Sequence, residues 1–431
     1  MSSTARIGFA GLSHLGIVSS AAAAARGFSI LAFDERPGLT GDLAAGRFPI
    51  TEPGLEASFE EHRQRLAYSS DPTSLAACDL IFITLDVPTD DTNTSNIEPL
   101  KALIEKVAAH ARLGSILVLM SQVSPGFSRE MQSRLPAEIG FFYQVETLVF
   151  GNAVQRAIHP ERFMVGCADP QVELPEAYRA YLEAFSCPVL KMRYESAELS
   201  KIAINCFLVS SVSTTNMLAE ICENIRADWS EVAPALRLDK RIGPHAYLSP
   251  GLGIAGGNLE RDLVTVRTIA AACGADARMV VAWQENSSHR KDWAQRLLVD
   301  KGLLSRGPDS ELAIWGIAYK AETNSIKNSP SVALMQALQG YRLRAYDPVV
   351  KPGQADFAHV RQCGSALETA AGADALVVMT PWKEFGEIPL DEVKGRMRGR
   401  VIVDPFAALD SGVCRRLGFD YYRIGIGELN A

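Results

Sequence analysis

Gly11-Leu12-Ser13-His14-Leu15-Gly16 follows a short apolar run, Ala5 to Ala10, and opens the alanine-rich segment Gly16 to Arg26. A G-x-G-x-x-G type of turn between a strand and a helix brings backbone N–H groups and a helix N-terminus to a pyrophosphate, so these residues are candidates for holding a dinucleotide. Ser13 stands where the middle glycine belongs, which loses close backbone approach but adds a hydroxyl able to donate to a phosphate. His14 reads as a turn residue facing cofactor or solvent. Asp34 ends the next apolar run, Phe28 to Phe33. A carboxylate there accepts from the ribose hydroxyls of NAD and repels a 2′-phosphate, so NAD is expected rather than NADP. The bland alternative is a tight turn without a ligand, and Asp34 weighs against it.

Three further groups carry chemistry. Lys201 and Asn205 are four residues apart in a stretch of helical spacing, which puts both on one helix face. Arg241 and Lys320 suit phosphate recognition, the first as a planar fork and the second as a point charge. Surface ion pairs are the competing reading for each. The eight cysteines have neither CxxC pairing nor metal-ligand spacing and read as buried thiols of a reducing compartment, so no metal is expected.

The elements that must position these residues are legible in outline. Strand, helix and strand from Ala5 to Phe33 form a βαβ unit. Apolar runs at Leu80 to Leu85, Ser115 to Met120 and Phe163 to Gly166 alternate with helix-like stretches, as in a parallel sheet covered on both faces. Glu198 to about Ile225 reads as one long helix, and Leu259 to Asp300 as a helical region. After a linker at Ser305 to Ser310, strand-like runs at Leu312 to Trp315, Arg342 to Tyr346, Ala375 to Met379 and Arg400 to Val403 begin a second α/β domain.

The chain has 431 residues, 47% hydrophobic and 22% charged, with a net charge of -7. This excludes a basic nucleic-acid footprint. No uninterrupted apolar run approaches the length of a membrane span, and the N-terminus lacks a signal-peptide pattern. A cytoplasmic location is expected.

Pro250-Gly251-Leu252-Gly253-Ile254-Ala255-Gly256-Gly257-Asn258-Leu259-Glu260-Arg261-Asp262 resembles the P-G-x-G-x-G-G-x-C-x-P-x-D segment of the UDP-glucose/GDP-mannose (nucleotide-sugar 6-) dehydrogenase family. Asn258 takes the place of the cysteine, and Ala255 and Glu260 also depart. Pro49-Ile50-Thr51-Glu52-Pro53-Gly54-Leu55 is similar to the family's P-I-x-E-P-G-L, and Val87-Pro88-Thr89 to a T-P turn after a strand. Glu198 with Lys201 and Asn205 resembles E-x-x-K-x-x-x-N, and Arg241-Ile242-Gly243 resembles R-I-G. Gly316-Ile317-Ala318-Tyr319-Lys320, Thr323, Lys327 and Ser329-Pro330 resemble G-x-A-[FY]-K…T…R-x-S-P. Tyr346-Asp347-Pro348 and Thr380-Pro381-Trp382 are similarly placed.

The resemblance implies an α/β protein of two Rossmann-like doubly wound parallel-sheet domains joined by a long central helix and helical region. Its parts would be an NAD-binding domain at 1–197, a central dimerisation domain at 198–304 and a nucleotide-sugar domain at 311–431. It implies a homodimer, NAD as cofactor, a nucleotide sugar or nucleoside phosphate as substrate, and neither nucleic acid nor membrane as partner. Lys201 and Asn205 would stabilise developing charge on oxygen, Asp262 would hold a water or act as base, and Glu146 would join the catalytic set. The cofactor positions would be Gly11, Ser13, His14, Leu15, Gly16, Asp34, Val87, Pro88, Gln122 and Lys327. Substrate positions would be Arg241, Tyr247, Gly253, Lys320 and Phe150.

The family's later chemistry captures an aldehyde on cysteine and hydrolyses a thioester. Asn258 offers no thiolate. Phe150 replaces a glutamate of P-E-F-L-x-E-G and Gln122 the threonine of S-T-V, both of which help position the hydrolytic water in the family. The expectation is therefore one two-electron oxidation of an alcohol to aldehyde or ketone, or a transient oxidation. The alternative is a catalytically silent relative that binds nucleotide sugar or NAD in assembly or regulation.

Overall fold

Four consecutive apolar residues recur as buried strands because each is covered from both sides. This computed structural model describes residues 5–88, 95–300, 302, 304, 306–351, 353–355 and 357–427, so Thr89 and Ser305 lie outside the described residues. The chain divides into two units, residues 1–204 and 205–431.

The first unit holds an eight-stranded sheet of order β3-β2-β1-β4-β5-β6-β7-β8. Its strands are β1 (Ile7–Ala10), β2 (Ile30–Phe33), β3 (Leu66–Ser69), β4 (Leu80–Ile83), β5 (Ile116–Leu119), β6 (Gly140–Gln144), β7 (Phe163–Cys167) and β8 (Val189–Arg193). Successive residues of a strand serve opposite faces. Thus Leu80 and Phe82 join Phe9 and Val118 in one apolar cluster, while Ile81 and Ile83 join Leu117 and Leu119 in another. Helix α1 (His14–Ala25) follows β1 at once, and α2 (Phe127–Arg134) follows β5.

One feature departs from the expected parallel sheet: β7 pairs antiparallel with β6, through Tyr143 opposite Gly166 and Gln144 opposite Val165. Parallel neighbours need a full crossover, usually a helix of some length. The connection from β6 to β7 contains only the short helix Ala153–Ile158, and the chain returns from the same end of the sheet.

The long helix α3 spans Tyr194–Ile225, four residues earlier than its sequence pattern suggested, and the division between the units falls inside it. Among the described residues it is the one helix long and apolar enough to cross a membrane by length and composition, and 39% of its most apolar stretch is buried within the protein. Its serines, threonines and asparagines interrupt apolar runs without adding charge. That is why no uninterrupted apolar stretch marks it in the sequence.

The second unit contains α4 (Asn258–Cys273), α5 (Arg278–Lys291) and a six-stranded sheet of order β11-β10-β9-β12-β13-β14, all parallel. These strands are β9 (Glu311–Trp315), β10 (Arg342–Tyr346), β11 (Val360–Gln362), β12 (Ala375–Val378), β13 (Val401–Val403) and β14 (Asp420–Tyr422), and α6 (Pro330–Ala337) lies between β9 and β10. A single apolar core joins this sheet to Ala219, Trp229 and Trp293.

Candidate active site

In the first sheet, Ala10 pairs with Phe33, so the chain leaves β1 and β2 side by side. Gly11 turns with φ +89, and its N–H donates to the Phe33 carbonyl at 3.0 Å. Gly16 is required by space: a Cβ there would lie 2.3 Å from the Gly11 carbonyl oxygen and 2.7 Å from Thr84 Oγ1. The Ser13 hydroxyl donates to the Thr84 carbonyl at 2.7 Å and accepts from the Asp86 N–H at 3.2 Å. It ties the turn to the end of β4, so the hydroxyl expected to face a phosphate already has partners. The turn borders a cavity of about 630 Å3 whose walls include Gly11, Ser13, His14, Asp34, Arg36 and Asp86. That volume suits a small-molecule or cofactor site.

Other positions assigned to the cofactor fall differently. The Leu15 side chain is buried with Phe9 and Ile30, which leaves only its backbone for a ligand. Val87 is likewise packed in the core, Pro88 is exposed, and Leu85 and Asp86 form the cavity wall at this strand end. Gln122, half-buried, lies just beyond β5.

Asp34 is 5% exposed and accepts from the Leu12 N–H at 2.8 Å. Arg36 gives it three more bonds, from its N–H at 3.1 Å, Nε at 2.7 Å and Nη2 at 2.9 Å. Burial alone would raise the Asp34 carboxyl, but the Arg36 side chain and the Leu12 and Arg36 N–H groups hold it below the usual carboxylate range. Asp34 is legible in the sequence as a candidate, whereas its partner Arg36 is not. The signal was a cation two residues past a strand-ending acid.

His14 and Phe150 form a unit the sequence did not disclose. Glu52, whose side chain has no exposed surface, lies 2.8 Å from His14 Nε2 and accepts from Gly151 N–H at 3.1 Å and Ala153 N–H at 3.3 Å. The His14 ring packs on Phe150 with centroids 4.3 Å apart and planes tilted by 43°. Phe150 therefore covers His14.

Lys201 Nζ donates to Glu146 Oε2 at 3.3 Å, with both side chains largely buried, and the Leu148 N–H donates to Glu146 Oε1. One turn earlier on α3, the fully buried Glu198 accepts from Gly126 N–H at 2.6 Å and Ser128 N–H at 2.7 Å, at the N-terminus of α2. A carboxylate is well placed at a helix N-terminus. Burial pushes the Glu198 carboxyl up, and those N–H donors offset part of the rise.

In the second unit, Asn205 Nδ2 donates to Asp262, which is 1% exposed, and Arg261 Nε lies 3.4 Å from the other oxygen of Asp262. Asn258 is the exposed first residue of α4. A thiol at that helix N-terminus would have its pKa lowered, whereas a carboxamide gains no nucleophilicity. Cys206, beside Asn205, is no substitute: burial and then the Asp262 charge push its thiol up.

The loop before α4 docks on the segment after β9. Asn328 Nδ2 donates to the Gly256 carbonyl at 2.9 Å and to Glu260, and the Gly256 N–H donates to the Lys327 carbonyl at 3.1 Å. Glu260 also accepts from Lys291 at 2.5 Å, which ties it to both α5 and the segment after β9. Gly253, with φ +76, has no room for a Cβ, which would lie 2.5 Å from the Ser287 carbonyl oxygen. Lys320 Nζ lies 5.9 Å from the Tyr319 ring centroid. Arg241 stands apart, with an 88% exposed side chain paired to Asp239 at 2.7 Å. Tyr247 is half-exposed, and its carbonyl accepts from Thr215 Oγ1 at 3.0 Å.

Profiles of the UDP-glucose/GDP-mannose dehydrogenase family match the chain in order: its NAD binding domain at residues 5–184, its central domain at 195–288 and its UDP binding domain at 313–411. The chain belongs to the UDP-glucose/GDP-mannose dehydrogenase family. Members of this family are NAD-dependent dehydrogenases of nucleotide sugars that act on CH–OH groups, and NAD is the cofactor. Similar curated proteins include UDP-glucose 6-dehydrogenase TuaD of Bacillus subtilis, 28% identical over 97% of this chain and 93% of that protein. UDP-glucose 6-dehydrogenase of Pseudomonas aeruginosa is 28% identical over 96% of each. Among solved structures, a UDP-glucose dehydrogenase from Pyrobaculum islandicum has the same fold, with TM-score 0.84, 24% identity and 97% coverage of both chains.

The residues present fit the adenine dinucleotide of this family. A side chain at Gly16 would close the cradle, α1 begins at the cavity, and Asp34 stands at the end of β2.

Proposed function

We propose that this family member is an NAD-dependent oxidoreductase that takes an alcohol of a nucleotide-activated sugar to an aldehyde or ketone in one two-electron step, without a cysteine-bound intermediate. NAD, when bound, supplies the two-electron acceptor. Lys201 and Asn205 stabilise the developing charge on the substrate oxygen, and Asp262 takes up a proton or holds a water. Glu146 orients Lys201 by accepting from its ammonium group.

The observation that carries this reading is an asymmetry among the family positions. Both polar pairs are formed, Lys201 with Glu146 partly buried and Asn205 with Asp262 buried. The positions serving thioester chemistry have other occupants: Asn258 carries no thiol, and Phe150 packs on His14. Such a site supports proton and charge handling but not acyl transfer to sulfur.

The UDP binding profile and the UDP-glucose relatives make UDP-sugars the first substrates to test. The proposed domains are 1–197, 198–304 and 311–431, with Arg241, Tyr247, Gly253 and Lys320 serving the substrate. A homodimer through α3 accounts for its apolar surface, where Phe207 is 77% and Ile225 64% exposed. The eight free cysteines support a reducing, cytoplasmic location.

Back-mutation tests the reading. Asn258→Cys alone is expected to yield no sugar acid, because water positioning by Glu and Thr at positions 150 and 122 is also missing. Adding Phe150→Glu and Gln122→Thr is expected to yield some acid. Full acid production by the single variant, followed by mass spectrometry of the product, would overturn the linked roles of the three positions.

A further inference from the structure

An ionised carboxylate has about four lone-pair sites for hydrogen bonds. Asp34 fills four from its own chain, receiving the Leu12 N–H and the N–H, Nε and Nη2 of Arg36. With Arg36 in place over a carboxylate that is only 6% exposed, a ribose diol must compete with Arg36 for Asp34. The lock is reversible in kind, because the Arg36 side chain is 64% exposed while that of Asp34 is 6% exposed.

The charge at this end of the cavity is also altered. Arg36 and Lys106 both line it, beside Asp34 and Glu35, and Lys106 is paired with Glu35. These two cations balance the two acids they pair with, leaving Asp86 as a third acid on the wall, so the negative charge of Asp34 that excludes a 2′-phosphate is offset. A guanidinium is moreover a planar fork that matches phosphate in the same bidentate manner as it matches Asp34.

We propose that Arg36 is a specificity-determining residue that makes the adenosine subsite accept the 2′-phosphate of NADP alongside the 2′-hydroxyl of NAD. The phosphate would accept from the outer Nη1–Nη2 edge of the guanidinium while Nε and Nη2 stay on Asp34, whereas NAD must displace Arg36 to reach the carboxylate. This rests on the cavity being the dinucleotide site. Its test uses binding alone and needs no turnover.

Calorimetric titration of the full chain with 5′-AMP and with adenosine 2′,5′-bisphosphate decides the matter. The wild type is expected to bind the two within about tenfold of each other. Arg36→Ala is expected to weaken the bisphosphate by about tenfold or more and to tighten 5′-AMP, because Asp34 is released. Arg36→Lys should fall between, keeping the charge and losing the fork. Wild-type preference for 5′-AMP by more than about a hundredfold overturns the inference, as does an equal change of both ligands in Arg36→Ala. If 5′-AMP itself fails to bind, the dinucleotide assignment of the cavity falls as well, which separates the two failures.

Discussion

Gly11 and Gly316 occupy the same place in two sheets of this chain. Each ends the first strand with a positive φ, +89 and +92, and each donates its N–H to the last residue of the neighbouring strand, Phe33 at 3.0 Å and Tyr346 at 2.7 Å. Each is followed by N–H groups directed at an acid beyond that strand, Leu12 at Asp34 and Ile317 and Ala318 at Asp347. The sheets share the order 3-2-1-4-5-6 in their common strands.

They part at the next step. After Gly11 the helix begins at His14, whereas residues 317–329 separate Gly316 from α6. Asp347 accepts from Ile317, Ala318, Val349 and Val350 N–H groups and from Trp382 Nε1, at 2.7 to 3.2 Å, all within one packed region. Three of the four bonds to Asp34 come from Arg36, with its exposed side chain. The same strand, turn and acid thus make a fixed knot in one sheet and a releasable lock beside a cavity in the other. A ligand subsite needs an acid whose partners can leave.

Glycine replacement should show the largest contrast. A Cβ at Gly316 would lie 2.4 Å from Thr380 Cβ and 2.7 Å from its backbone nitrogen, whereas the nearest atoms to one at Gly11 are at 3.0 Å. Both replacements pay for a left-handed conformation, about 1–2 kcal/mol, and overpacking adds about 1–3 kcal/mol. Gly316→Ala should therefore lower unfolding free energy by about 4 kcal/mol and Gly11→Ala by about 2 kcal/mol in urea titrations. The reverse order would break the comparison.

The acids should divide stability from binding. Asp347→Asn loses charge-assisted bonds to several buried donors and should cost about 2–3 kcal/mol of stability. Asp34→Asn should cost less in urea unfolding and should change 5′-AMP affinity, which Asp347→Asn leaves alone. Equal stability losses would mean that Asp34 is as structural as its counterpart.

Acid pH gives the smallest and sharpest effect. Asp34 titrates below its ordinary value, so its contribution is present above the unfolded-state pKa of about 4 and is lost as pH falls through the folded-state value. Melting temperatures between pH 7 and pH 3 should show a steeper acid limb for the wild type than for Arg36→Ala. Parallel limbs would show that Arg36 does not hold the Asp34 proton equilibrium.

The features legible in sequence follow from burial. β1, β2, β4, β5 and β12 are buried at every position and read as apolar runs, whereas β3 is half-exposed, β8 is an exposed edge, and β11 and β14 each bury at most one residue. Asp34 could be found because it ends an apolar run at the right place after a glycine turn. Its lock by Arg36 depends on the local path after β2. Glu52 under His14, and Glu260 between Lys291 and Asn328, join residues far apart in the chain, so only the folded structure reveals their pairing.

A single two-electron oxidation fixes the stoichiometry of NADH to sugar. The protein would be incubated with NAD and UDP-glucose or related nucleotide sugars, with NADH followed by absorbance and the sugar product by mass spectrometry. One NADH per sugar consumed and a carbonyl product trapped by hydrazine are expected. Two NADH per sugar with a carboxylate product would contradict it, as would binding of nucleotide sugar with no turnover across the panel.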